Sequence, residues 1–432
     1  MNTIQKLFAI VLMTLTFGNA MAQSNFVSVK DGKLWKEGKP YYYVGANFWY
    51  GAILGSEGRG GNRQRLCREL DKMKSIGITN LRVLVGSDGE EGVMTKVEPT
   101  LQRKPGVYND SILAGLDYLL QQMGKRKMVA VLYLNNSWEW SGGYGFYLEH
   151  AGAGKAPRPN EEGYNAYTNF VKNFSTNAKA HQLFYDYVKF IMSRTNRYTG
   201  KRYVDDNAIM AWQIGNEPRP FSTENIPAFE TWLKEVSALM RGLDKKHLIS
   251  IGSEGVIGCE GDVNAFRTIC SDPNIDYVTV HVWPYNWGWA HKETLGQDVK
   301  LSCEKTKDYL NQSLQICQEL QKPLVMEEFG YPRDGFSFAK SSTTAARDTY
   351  YKYVFDMIIQ MVGKNKGGFS GCNIWAWGGN AVPKHEQWLP GDDYTGDPAQ
   401  EQQGLNSVFS SDASTLHLIK TTNHQLKKLT RN

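Results

Sequence analysis

The chain is poor in the residues that metal-dependent and nucleic-acid chemistries require. Its 432 residues include only 8 histidines, with no H-x-H or H-E-x-x-H spacing, so metal-dependent hydrolysis is not supported. The six cysteines (Cys67, Cys259, Cys270, Cys303, Cys317 and Cys372) match no metal-binding pattern. Basic residues are scattered, and the net charge is only +5, so no nucleic-acid partner is expected. Pro/Ser linkers, low-complexity tracts and internal repeats are missing, which speaks against an attached binding module. No apolar run reaches transmembrane length.

One shorter apolar run, Leu7 to Phe17, follows Lys6 and precedes Ala20-Met21-Ala22, a small-residue cleavage pattern. Residues 1–22 therefore read as a signal peptide and 23–432 as a single domain, exported to periplasm or medium and free of the membrane after cleavage. Export permits disulfides. Cys259 and Cys270 flank a stretch rich in Gly, Asp and Asn and are the best candidate pair. Cys317 lies on a helical stripe with Leu310, Leu314 and Leu320, which reads as a buried thiol. Cys303 and Cys317, within one helix, would stand roughly 21 Å apart and cannot bond.

What the chain has in abundance is aromatic surface and alternating pattern. Aromatics make up 12% of it, with 12 Trp and 23 Tyr, and several Trp sit in polar, Gly-containing loops where flat rings meet ligands. Eight short apolar runs read as strands: 41–47, 79–85, 128–134, 209–216, 248–253, 277–282, 323–328 and 372–377. Amphipathic segments between them, such as 63–77, 112–127, 184–196 and 228–243, read as helices. Eight strand–helix units in series point to a closed (β/α)8 barrel, although a doubly wound open sheet shows the same alternation. The opening 26–42 reads as a hairpin turning at Asp31-Gly32 and covering the barrel's N-terminal end. Long insertions follow strands three, four, six and eight, where the loops of a barrel's functional face lie.

Two of these strands end in carboxylates. Glu217 lies in 212-WQIGNEP-218 and Glu328 in 323-PLVMEEFG-330. Facing each other across a cleft, they would supply the protonated acid and the ionised nucleophile of a retaining glycosidase, whose carboxyl groups stand about 5–5.5 Å apart. Desolvation and a neighbouring carboxylate would raise the Glu217 pKa, as an acid requires. Asn216 is placed to meet a sugar 2-hydroxyl. Glu327 is a rival to Glu328, and since adjacent strand side chains face opposite ways, it is expected to point outward toward a structural Arg or Lys. The acidic stretch 389-LPGDDYTGDPAQEQQG-404 lacks the spacing of a calcium loop and reads as a solvated or substrate-facing loop.

In this order and spacing, N-E-P and E-F-G resemble the acid/base and nucleophile motifs of glycoside hydrolase family 5, clan A. The segments 45-GANFWYG-51, 81-LRVLVGSDG-89, 135-NNSWEWSGG-143, 281-HVWPYNWGW-289 and 374-IWAWGG-379 are similar to its endo-β-1,4-mannanase branch, particularly the bacterial members. The resemblance implies a cofactor-free, monomeric hydrolase of β-mannan-type polysaccharides. It implies that Arg82 orients Glu328 and holds its pKa low, and that His281 joins the substrate and hydrogen-bond network. Trp375 would be the platform under the sugar at the cleavage point, with Trp377 as fallback. Trp49 and Trp138 would wall outer subsites, and Asn136 would reach a sugar hydroxyl. The family's tyrosine two residues after the strand-six histidine is here Trp283, also expected at the substrate, and Tyr285 is the only nearby substitute. Asn135-Asn136 replaces the His-Asn of many cellulases and favours mannan. An endo-β-1,4-glucanase on the same barrel, or a non-catalytic glycan-binding barrel, are the alternatives.

Overall fold

In the computed structural model, which describes residues 25–364 and 368–430, all eight predicted strands form and lie parallel in one sheet. They are β1 (Tyr43–Asn47), β2 (Asn80–Leu84), β3 (Val129–Tyr133), β4 (Ile209–Gln213), β5 (Leu248–Ser250), β6 (Val278–Val282), β7 (Leu324–Phe329) and β8 (Phe369–Ile374). Every residue of these strands is buried, as expected of strands covered on both faces, and this is why they read as near-continuous apolar runs. The ladder runs β5-β4-β3-β2-β1-β8-β7-β6. The seam between β5 and β6 is bridged by Asp276 N to Ile249 O at 2.9 Å and Thr279 Oγ1 to Ser253 O at 3.0 Å. The sheet thereby curls into a barrel, not an open doubly wound sheet.

Eight helices follow the strands: α1 (Arg63–Ser75), α2 (Asp110–Lys125), α3 (Ala178–Met192), α4 (Ile226–Leu243), α5 (Val263–Ser271), α6 (Leu295–Leu320), α7 (Ala345–Gly363) and α8 (Ala413–Leu429). Asn62, Asn109, Asn177 and Asp262 cap α1, α2, α3 and α5 by accepting backbone N–H bonds of the first turn. None of the helices among the described residues is long and apolar enough to cross a membrane.

The N-terminal hairpin turns at Asp31-Gly32, both in the left-handed region (φ 52° and 66°), the geometry of a tight two-residue turn. Its Val27, Leu34 and Tyr41 pack with Tyr43, Val129, Val131, Met210, Tyr277 and Val325, closing one end of the barrel. A third short strand, Lys39–Pro40, extends it. The signal-peptide segment lies outside the described residues. The expected Cys259–Cys270 disulfide is not formed: all six cysteines are free thiols, five of them buried. Cys270 sits on α5 among apolar neighbours, where burial pushes the thiol well above its ordinary pKa.

Candidate active site

The opposite, C-terminal end of the barrel carries the predicted carboxylates. β4 ends at Gln213, earlier than the apolar run suggests, because the chain must turn there. Glu217 adopts φ +51°, a left-handed conformation that costs a side-chain-bearing residue roughly 1–2 kcal/mol. Its N–H is held by Gly252 O at 2.9 Å, and Pro218 follows. The outcome is a carboxyl group aimed back over the barrel mouth. It is 8% exposed, and Glu328, on β7, is 3% exposed.

The two side chains meet around His281 at the end of β6. His281 Nδ1 stands 2.7 Å from Glu217 Oε1 and 3.5 Å from Glu328 Oε2. One oxygen of each carboxylate and a ring nitrogen all lie within 4.8 Å of one another. An approach this close suits the paired carboxylates of a retaining enzyme. The other oxygen of each carboxylate is already engaged, Glu328 Oε1 by the Arg82 guanidinium and Glu217 Oε2 by the Trp138 indole, so the oxygens turned toward His281 are the ones open to exchange protons.

Arg82, fully buried on β2, fans out over the floor of the site. Its Nη1 donates to Glu328 Oε1 and, at 3.1 Å, to Asn47 Oδ1; Nη2 donates to Asn216 Oδ1 at 2.8 Å; Nε donates to Gln213 Oε1 at 2.7 Å. Its plane rests 4.5 Å from the Tyr133 ring centroid. Asn216 Oδ1 is thus committed to Arg82, while the residue still lines the cleft.

The expectation that Arg82 holds the Glu328 pKa low is overturned. Burial, reinforced by Glu217, pushes Glu328 well above the usual carboxylate range despite Arg82. Burial likewise raises Glu217, against the pull of Arg219, the Trp138 indole and Arg82. Two desolvated carboxyl groups this close hold a proton between them. Arg82 bonds directly only to Glu328, so Glu328 is the member that carries the charge. Burial and Arg82 hold His281 well below the ordinary histidine value, so its ring is neutral, with Nδ1 in hydrogen-bond contact with Glu217 Oε1.

The cleft above this floor has a volume of about 490 Å³, in the range of sites that enclose a small ligand. Trp283 and Trp375 stand edge to face at 5.9 Å on the Glu328 side, and Trp140 meets Trp375 at 6.3 Å. Trp138 lines the cleft too, but its position corrects the expectation of an outer wall: its Nε1 donates to Glu217 Oε2 at 2.5 Å. Two other expected contacts fail. Trp49 is buried, bonds Gly396 O at 2.8 Å through Nε1, and backs Trp140 at 6.0 Å without reaching the cleft. Asn136 spends its amide inside the loop, on Ser141 Oγ at 2.8 Å, Trp138 N at 3.0 Å and Asn216 Nδ2 at 3.3 Å. Gly143 (φ +71°) lets this loop double back, since a Cβ there would collide with the Asn136 carbonyl. Trp377 is buried against Glu69 (3.0 Å), away from the site. Tyr285 packs on Phe336 at 4.9 Å and does not line the cleft.

Several cleft residues escaped the sequence reading. Arg219, two residues past Glu217, pairs with buried Glu254 and lies 5.4 Å over the Trp138 ring. Tyr164 and Thr168 come from the helical insertion after β3. Gln400 and Glu401 come from the acidic loop after β8, which therefore faces the cleft. Burial and Asp397 push the Glu401 pKa up to about 8. Asp397 itself braces that loop by accepting the N–H groups of Gly404, Asn406 and Ser407 at 2.9–3.1 Å. An N-E-P-R string was the one legible hint among these.

Comparisons with known proteins agree with this geometry. A model of the family described as "GH family 5 beta-mannosidase-like" matches residues 24–431. The glycoside hydrolase family 5 mannosidase of Rhizomucor miehei superposes with a TM-score of 0.86 at 33% identity, covering 95% of this chain and 99% of that one. A putative mannan endo-1,4-beta-mannosidase 9 of Oryza sativa subsp. japonica is 26% identical over 380 residues, 86% of this chain and 85% of its own. The endo-beta-1,4-mannanase of Thermotoga petrophila shares the fold, with a TM-score of 0.64 at 21% identity over 90% of this chain and 77% of that one. With its paired glutamates at the ends of β4 and β7, the chain belongs to glycoside hydrolase family 5, and the protein is a glycoside hydrolase of the mannosidase-like group.

Proposed function

We propose that the protein is a retaining endo-β-1,4-mannanase, with residues 23–432 acting as a single exported catalytic domain on mannan, glucomannan or galactomannan. Glu328 attacks the anomeric carbon while Glu217 protonates the departing glycosidic oxygen. Glu217 then takes a proton from water, whose oxygen releases the mannosyl group from Glu328. Arg82 orients the nucleophile, and the neutral His281 stabilises whichever carboxylate is ionised at each stage. Trp375 and Trp283 form the apolar surface for the reacting sugar, Asn216 meets its 2-hydroxyl, and Trp138 tunes Glu217. The observation that carries this reading is the pair of carboxylate oxygens within 4.8 Å around His281, with Arg82 bonded to the other oxygen of Glu328. The curated plant relatives named as mannan endo-1,4-beta-mannosidases support the substrate and the internal mode of attack.

A second reading, removal of single mannose units from chain ends, is favoured by the "beta-mannosidase-like" description of the matched family and by the Rhizomucor mannosidase. The product profile on galactomannan separates the two. Endo-action yields a ladder of oligosaccharides and an early fall in viscosity. Mannose as the sole early product would replace it with the exo reading, and a preference for carboxymethylcellulose would overturn the mannan assignment.

A further inference from the structure

Neighbouring residues of a strand face opposite sides of it, yet Glu327 and Glu328 both serve the barrel interior. The register with β6 explains this. Met326 pairs with Val280 and Glu328 with His281, so Glu327 is the extra residue of a bulge. Far from pointing outward, it is fully buried in the layer beneath the cleft. Its Oε1 accepts the Tyr277 hydroxyl at 3.1 Å, and its Oε2 accepts Gln213 Nε2 at 2.5 Å. Arg82 Nε stands 3.6 Å from the same Oε2, and the Glu327 carbonyl is tied to Asn47 Nδ2 at 2.7 Å. Tyr277 and Gln213 thus donate to the carboxylate and a guanidinium stands beside it, the arrangement a buried anion requires.

We propose that Glu327 is a positioning residue for the hydrolytic reaction: as an anion it anchors the Nε edge of Arg82, so that Nη1 is aimed at Glu328. The proposal rests on Glu328 being the nucleophile. The charged and titratable groups facing Glu327 are Arg82 from β2, Tyr43 from β1 and Tyr277 ahead of β6, and Arg82 in turn bonds Glu328. One guanidinium thus stands between two carboxylates, and their sum is one negative charge. Beneath the cleft that surplus charge favours retention of the proton on Glu217, the state an acid catalyst needs before attack. Removing the charge should let Glu217 ionise earlier, moving the basic limb of the pH–rate profile to lower pH.

The test compares wild type, Glu327→Gln and Tyr277→Phe in kcat/KM against pH on an aryl β-mannoside. In parallel, 2-deoxy-2-fluoromannosyl fluoride is used to trap the glycosyl-enzyme, and peptide mapping locates the label. The label should fall on Glu328 in all three proteins. Glu327→Gln should lower the basic limb by about 0.5–1 pH unit, and Tyr277→Phe, which removes a donor that keeps Glu327 ionised and so favours its protonation, should move it the same way by less. A folded Glu327→Gln enzyme with unmoved limbs overturns the proposal while leaving Glu328 in place. If that variant fails to fold, an unmoved profile in Tyr277→Phe overturns it. A label on any residue other than Glu328 overturns the nucleophile assignment, and the proposal with it.

Discussion

The two glutamates of the cleft share one histidine but stand in opposite surroundings. Glu328 is gripped from below by a cation: Arg82 is fully buried and held in place by Asn47, Gln213, Asn216 and the Tyr133 ring. Glu217 meets an aromatic N–H instead, with the nearest guanidinium, Arg219, diverted to Glu254. Of two buried carboxyls that share a proton, the one bonded to a fixed cation is the one that carries the charge. A desolvated carboxyl with only neutral donors in contact keeps its proton more readily. The chemistry of the cleft follows from that asymmetry, and changes to either side should break it in distinguishable ways.

The largest effect is expected at the cation-gripped side. Glu328→Gln should lower kcat by at least about 10³-fold while a mannooligosaccharide still binds with near-native affinity by calorimetry; residual turnover above that level would count against the nucleophile role. Arg82→Lys comes next. Lysine cannot reproduce four donations from one planar group, so kcat should fall by about 10²-fold with little change in KM. On the aromatic side, Trp138→Phe removes a donor that favours ionised Glu217. The Glu217 pKa should therefore rise, and the basic limb of kcat/KM should move upward by roughly half a pH unit, the reverse of the Glu327→Gln shift. The smallest catalytic effect is expected from Trp49→Phe, which lies behind the cleft. Losing its bond to Gly396 O should cost about 1–3 kcal/mol in urea unfolding and leave KM nearly unchanged. A large rise in KM there would restore Trp49 to the substrate surface.

The contrast between the two sides also marks how far the sequence could be read. Strands buried on both faces leave long apolar runs, so the barrel and the positions of Glu217, Glu328, Arg82 and His281 were legible from pattern and motif. Direction was harder to read than position. Strict alternation allows only one of Glu327 and Glu328 inside, and a one-residue bulge, invisible in composition, lets both face inward. Trp49 and Trp138 both sit in Gly-containing loops, yet one is backing and the other touches Glu217, because depth depends on how the loops after β1, β3 and β8 stack on each other. Gln400 and Glu401 reach the cleft only because Asp397 folds their loop back over the barrel mouth. Cys259 and Cys270, the pair that loop composition favours, are both buried free thiols, and Cys270 is near enough to add to the burial that raises the Cys259 pKa.

The central claim is double displacement by this pair, and the anomeric form of the newly released reducing end tests it most directly. Proton NMR during the first minutes of mannopentaose hydrolysis, before mutarotation, should show the β-hemiacetal accumulating first. Initial appearance of the α-anomer would mean a single inverting displacement and would contradict the account.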